Sequence, residues 1–150
     1  MSRHSPYVRL SVPEDVEALI PNIPDEDNVD VINGWGRPSA DMLREIFPQC
    51  DECFTIINDG AVVGLFGVLP DGNIWLMRGR GIDSVAIRFC RHGHEYIKQW
   101  LDKYGTLTGY INKRYRKFVR WLTWEGFEMF EVGRGYLMVR KNGAYAPPRR

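Results

Sequence analysis

The chain has 150 residues, one domain's length and enough to bury a core. Its 44% hydrophobic, 26% charged and 13% aromatic residues exclude a disordered, fibrous or low-complexity protein. The net charge of +1 conceals a split, because residues 1–60 hold 4 Lys/Arg against 12 Asp/Glu while residues 78–120 hold 11 against 3. Opposite-signed faces of this kind favour ordered association or the binding of an anionic ligand. The longest apolar run, residues 61–69, is broken by Gly64 and Gly67 and falls short of the roughly 20 residues of a membrane span. Residues 1–5 lead into no apolar stretch, so no secretory signal is expected. Cys50, Cys53 and Cys90 are too few, and odd in number, for a disulfide framework. The expectation is a single soluble domain over 1–150 in a reducing compartment, with a frayed tail from about residue 142.

Residues 7–10 read as a short strand. Ser11, Pro13 and Glu14 then supply a capping hydroxyl, an early helical proline and a first-turn acid for a helix over 13–20. Pro21 and Pro24 interrupt the chain before an acidic helix over 25–33, a loop over 34–38 and a short helix over 39–47. Three strands follow at 54–57, 61–69 and 74–77, turned by Asn58-Asp59-Gly60 and Pro70-Asp71-Gly72-Asn73. They look buried on both faces, so helices should cover them.

Asp83 and Ser84 are the expected cap of the longest helix, which runs to Tyr104 and stops at Gly105. Phe89, Gly93, Tyr96, Ile97 and Trp100 recur on one face of it. A strand over 106–111 comes next. A helix over 113–125 should turn Phe118, Val119 and Leu122 inward and Arg116, Lys117 and Arg120 outward. Strands over 127–132 and 136–141 close the chain as a hairpin. The order is mixed α/β (α+β), with a mostly antiparallel central sheet, helices on both faces and one parallel crossover joining strand 74–77 to strand 106–111.

Several stretches carry a family likeness. They are Val8-Arg9-Leu10 with Pro13-Glu14-Asp15-Val16, Gly64-Leu65-Phe66-Gly67-Val68, Ile74-Trp75-Leu76-Met77, Phe89-Cys90-Arg91 and Tyr104-Gly105-Thr106-Leu107. The sharpest is Arg120-Trp121-Leu122-Thr123-Trp124-Glu125-Gly126-Phe127. With these the chain resembles the GNAT family of N-acetyltransferases over its whole length. More narrowly, it looks like the small GNAT-like proteins of short-tailed phages, the group that includes internal virion protein A and assembly factors. The resemblance implies a splay between strands 74–77 and 106–111 that admits the pantetheine arm of acetyl-CoA. It implies a phosphate loop of pattern Gln/Arg-x-x-Gly-x-Gly/Ala, here Arg78, Gly79, Arg80, Gly81 and Ile82, with Asp83 at the final position and Ser84 following. Backbone N–H groups at the start of the long helix would then face the pyrophosphate. Asp83 places a carboxylate where phosphate should approach.

Acyl transfer to an amine also needs a base for the amine and an acid for the departing thiolate. The family's thiolate-protonating tyrosine stands four residues before the glycine of the terminal helix, and that position is Leu122. Tyr110 and Tyr115 lie nearby without matching the motif. Neither strand beside the splay carries a carboxylate, so no catalytic residue is assigned. The leading reading is a catalytically degenerate phage or prophage protein, working in virion assembly through contacts with other virion proteins or with itself, in the host cytoplasm or the virion. It needs no cofactor. The alternative is an acyl-CoA-dependent N-acetyltransferase using acetyl-CoA.

Other constellations are weaker. Cys50-x-x-Cys53 with Cys90, His92 and His94 has zinc-ligand types but is divided between elements and lacks a second Cys-x-x-Cys, so no metal is expected. Redox use of the cysteine pair is not expected either, because the pair precedes a strand instead of opening a helix. The basic stripe of Arg114, Arg116, Lys117 and Arg120 lies beside Trp121 and Trp124, a nucleic-acid signature. The near-neutral pI of 7.7 argues against that as the main role.

Overall fold

The structure, a computed structural model, describes residues 8–143. Strand β1 (Val8–Leu10) leads through α1 (Pro13–Leu19), α2 (Asp25–Trp35) and α3 (Ser39–Ile46) into β2 (Glu52–Asn58), β3 (Ala61–Val68) and β4 (Ile74–Arg78). Helix α4 (Ala86–Tyr104), β5 (Thr106–Asn112), α5 (Arg116–Trp124), β6 (Glu128–Gly133) and β7 (Tyr136–Asn142) complete it. The strands form two antiparallel sheets, ordered β1-β2-β3-β4 and β5-β7-β6. The sheets meet at one seam, where Asn73 and Thr108 form a parallel bridge and the Thr108 N–H donates to the Gly72 carbonyl at 3.1 Å. Beyond it, β4 and β5 diverge. The splayed parallel pair expected from the sequence is therefore present.

Two apolar clusters clamp the first sheet. On one face Val16, Leu19 and Leu43 from α1 and α3 pack with Ile23, Cys53 and Leu65. On the other, Phe89, Tyr96, Ile97 and Trp100 of α4 join Phe118 and Leu122 of α5 against Phe54, Phe66 and Val68. The three- and four-residue spacing of α4 thus reports its buried face correctly. Gly93 is required there, since a Cβ would lie 2.8 Å from the Trp121 ring.

Several boundaries differ from the sequence reading. Ser11 does not cap α1; its hydroxyl shares a 2.7 Å hydrogen bond with Thr55, and the Asp15 carboxylate accepts the Val12 N–H instead. Asp83 and Ser84 do not cap α4 but sit in a 3-10 turn, Ile82–Ser84, and Val85 at the cap position of α4 makes no side-chain cap hydrogen bond. Residues 113–115 are spent turning out of β5, so α5 begins at Arg116. Helix α2 runs on to Trp35, where Gly36 ends it in the left-handed conformation at φ 76°. Trp124, at the end of α5, is 76% exposed. Asn142 belongs to β7, and the remainder of the expected tail, 144–150, lies outside the described residues, as does Tyr7 of the expected first strand.

Trp100 is buried among aromatic neighbours and donates its Nε1–H to Glu52 Oε1 at 2.7 Å. Replacing Trp100 by Ala should lower unfolding free energy by about 3–5 kcal/mol in a urea titration, because the cavity cannot collapse between sheet and helix.

Candidate functional site

The divergence of β4 from β5 opens a cleft through the sheet with a cavity of about 430 Å³. One edge of β4 pairs with β3, while the other faces this opening with only the bridge at Asn73. The walls are mainly apolar; Asp71 and Asn73 lie at the narrow end, and the charged pair Asp27 and Arg78 at the wide end. Gly109 sets the narrow end, since a Cβ there would stand 2.8 Å from the Ile74 carbonyl oxygen.

At the wide end Asp27 of α2 is buried, with its side chain 3% exposed. Arg78 closes β4 and grips it with both prongs, Nε to Oδ2 at 2.8 Å and Nη2 to Oδ1 at 3.2 Å. Arg114 reaches in from the turn after β5, 3.6 Å from Asp27 Oδ1 and paired with Asp30. Two carboxylates and two guanidiniums thus form a neutral network. The Arg78 guanidinium also lies 4.0 Å over the Tyr115 ring, a cation–π contact. Burial first, and then the neighbouring Asp27 charge, push the Tyr115 phenol above the ordinary tyrosine range, with Arg78 opposing. Tyr115 therefore keeps its proton at neutral pH. On the α2 side, Trp35 and Tyr110 meet edge to face at 5.3 Å, and Tyr136 donates its hydroxyl proton to the Asp30 carbonyl at 3.0 Å. On the α4 side, Trp121 lines the cavity, and its Nε1 is buried without a hydrogen-bond partner among the described residues.

The loop singled out in the sequence follows β4 directly. Its N–H groups are largely engaged: Gly79 donates to the Val63 carbonyl, Arg80 to Asn22, Ile82 to Gly79 and Ser84 to Gly81. Asn22 further ties the loop down by donating to the Arg80 carbonyl at 3.0 Å. Gly79 packs so tightly that a Cβ would lie 2.7 Å from Leu19, and Gly81 adopts φ 93°. The Arg78 side chain turns to Asp27. The side chains of Arg80, Asp83 and Ser84 stay open to solvent, as do those of Ile87 and Arg88 in the first turn of α4.

The three cysteines are free thiols, Cys53 buried and Cys50 and Cys90 half-buried. Burial pushes the Cys53 thiol up to about 12 and the Cys90 thiol to about 11. Cys50 Sγ accepts from Trp75 Nε1 at 3.1 Å. Among the described residues no three His, Cys, Asp or Glu side chains converge as a metal site. His94 Nδ1 instead meets the buried Glu125 carboxylate at 2.9 Å, joining α4 to α5.

No protein-family model matches the chain, and no curated protein matches it. Solved structures do. A ribosomal-protein-alanine N-acetyltransferase from Brucella melitensis superposes with TM-score 0.62 at 15% identity, covering 90% of this chain and 98% of that one. An acetyltransferase of the GNAT family from Streptococcus pneumoniae gives 0.61 at 14% identity, covering 91% and 98%. The aminoglycoside acetyltransferase AAC(6')-Ib in complex with coenzyme A gives 0.58 at 11% identity, covering 91% and 94%. The chain has the GNAT acyltransferase fold.

Replacing Arg78 by Met leaves Asp27 buried with one distant cation and should cost about 2–4 kcal/mol in a denaturant titration. Replacing Asp27 by Leu in the same chain removes the stranded charge and should recover most of that loss.

Proposed function

We propose that the protein binds acyl-CoA in the cleft between β4 and β5 and acts as an N-acyltransferase. The observation that carries this reading is the splay itself, a 430 Å³ mainly apolar opening beside the outer edge of β4, with the Tyr115 phenol at its wide end. The residues present suit the ligand. The free edge of β4 suits an amide-bearing arm, and the orphaned Trp121 Nε1–H suits a carbonyl acceptor. At the phosphate end, the exposed Arg80 side chain offers positive charge and the first turn of α4 offers N–H groups. An acyl-CoA would supply an activated thioester carbonyl and a thiol as leaving group.

Tyr115 is the proton donor that the chain provides for the departing sulfur. Arg78 and Asp27 fix its ring and hydroxyl, so they are positioning residues. The amine is acylated as its new C–N bond replaces the C–S bond, and one amine proton must leave. Both Asp27 oxygens are taken up by Arg78, so neither is free to receive it. The amine therefore enters neutral or loses its proton to water. Trp35, Tyr110 and Tyr136 form the aromatic mouth through which it would pass.

A second reading has a specific support as well. Leu122, buried at the position of the family's thiolate-protonating tyrosine, favours a protein that has lost turnover and acts by protein contacts, as in phage virion assembly. The two readings separate on acetyl-CoA turnover.

Acetyl-CoA should raise the melting temperature, as any ligand of the native state alone must. Tyr115→Phe should lower kcat for acetylation of a test amine about 10²-fold or more while leaving acetyl-CoA affinity unchanged. The rate should climb with pH until the amine's own pKa is passed. Asp83→Gly should tighten acetyl-CoA by removing a negative charge beside the turn. The absence of any melting shift at saturating acetyl-CoA would sink the reading.

A further inference from the structure

Helix α5 carries cations where a helix gains least from them. Arg116 and Lys117 occupy its first turn, which contains no acid, so their charge adds to the positive end of the helix dipole. Arg116, Lys117 and Arg120 are all exposed, and their side chains have no ion-pair partner among the described residues. Trp124 continues the same outward stripe, 76% exposed. The inward face of α5 is occupied by Phe118, Trp121, Leu122 and Glu125, so the stripe has no task within the fold.

Helix α2 has the same spacing with the opposite sign. Asp25 and Glu26 stand exposed in its first turn, and Val29 and Ile32 follow at 52% and 41% exposure. Neither acid has an ion-pair partner among the described residues. Asp27, Asp30 and Val31 point the other way, into the cleft. Each stripe spans two adjacent charges, a residue four on and an apolar end seven or eight on, roughly 12 Å of helix. Side by side and parallel, Asp25 and Glu26 face Arg116 and Lys117, Val29 lies along the Arg120 stem, and Ile32 covers Trp124. Asp27 of α2 meets Arg114 just before α5, yet among the described residues no ion pair joins the two stripes within one chain.

We propose that α2 of one copy docks on α5 of the next, a head-to-tail contact of the chain with itself that builds rings or filaments. A second copy fits better than a nucleic acid, because a polyanion would leave the acidic and apolar α2 stripe without a role. The contact also accounts for the charge split between the two parts of the sequence.

Sedimentation velocity of the full chain is the test. The wild type should form dimers and larger species at low salt and dissociate at high salt, where exposed charges are screened. Arg116→Glu, Lys117→Glu and Arg120→Glu together should abolish association without moving the melting temperature. Asp25→Lys with Glu26→Lys should abolish it independently. Combining both sets in one chain restores opposite signs and should restore association. A wild type that stays monomeric at low salt overturns the proposal, as does a triple-reversed chain that associates like the wild type. A monomer that is retarded by a single-stranded oligonucleotide would assign α5 to nucleic acid and overturn it too.

Discussion

A buried carboxylate holds the wide end of the cleft together. Asp27 is withdrawn from water at the point where two sheets part, and an ionised group there is tolerable only with cations fixed around it. The cations come from the end of β4 and the turn after β5, so neutralising one charge fixes three separate elements. Once Arg78 is committed to Asp27, its flat face is available to the Tyr115 ring. The orientation of the Tyr115 ring is thus a by-product of satisfying an acid.

Between its two ends the cleft is apolar. Along its length β4 presents Ile74, Leu76 and the backbone, flanked by aromatic side chains from α4 and α5. A long apolar opening of this kind excludes water and would strengthen every polar contact at its wide end. The network of two acids and two arginines adds no net charge, leaving the outer faces of α2 and α5 to carry the sequence's charge imbalance.

What the sequence shows and what it hides divide along physical lines. The buried face of α4 is legible because Phe89, Gly93, Tyr96, Ile97 and Trp100 repeat with the helix, and packing on a sheet demands that repeat. The meander is legible from its turns at Asp59-Gly60 and Asp71-Gly72. Asp27 is not, because within Asp25-Glu26-Asp27 it reads as one more acid at a helix start. Only its phase with Val31 and Trp35, four and eight residues on, sets it on the inward face. Arg78 matches a phosphate pattern by spacing, yet spacing carries no information about a carboxylate 51 residues upstream. The expected cap at Asp83 and Ser84 is displaced for a local reason: the 3-10 turn absorbs three residues before α4 begins. Tyr115 escapes a motif search because it precedes α5 instead of lying within it.

Gly109 turns the seam into a pivot. With no side chain at Gly109, and with Gly72 opposite the Thr106 carbonyl, the two backbones close to contact at one point and nowhere beyond it. A methyl group at Gly109 would have to move the Ile74 carbonyl outward from 2.8 Å to reach ordinary contact. The mouth of the cleft lies four residues further along β4, roughly 13 Å away at strand rise. A displacement of a few tenths of an ångström at the pivot is therefore levered into a larger one at Arg78. The aperture of the cleft, and with it the alignment of Arg78, Asp27 and Tyr115, is geared to the absence of one carbon atom.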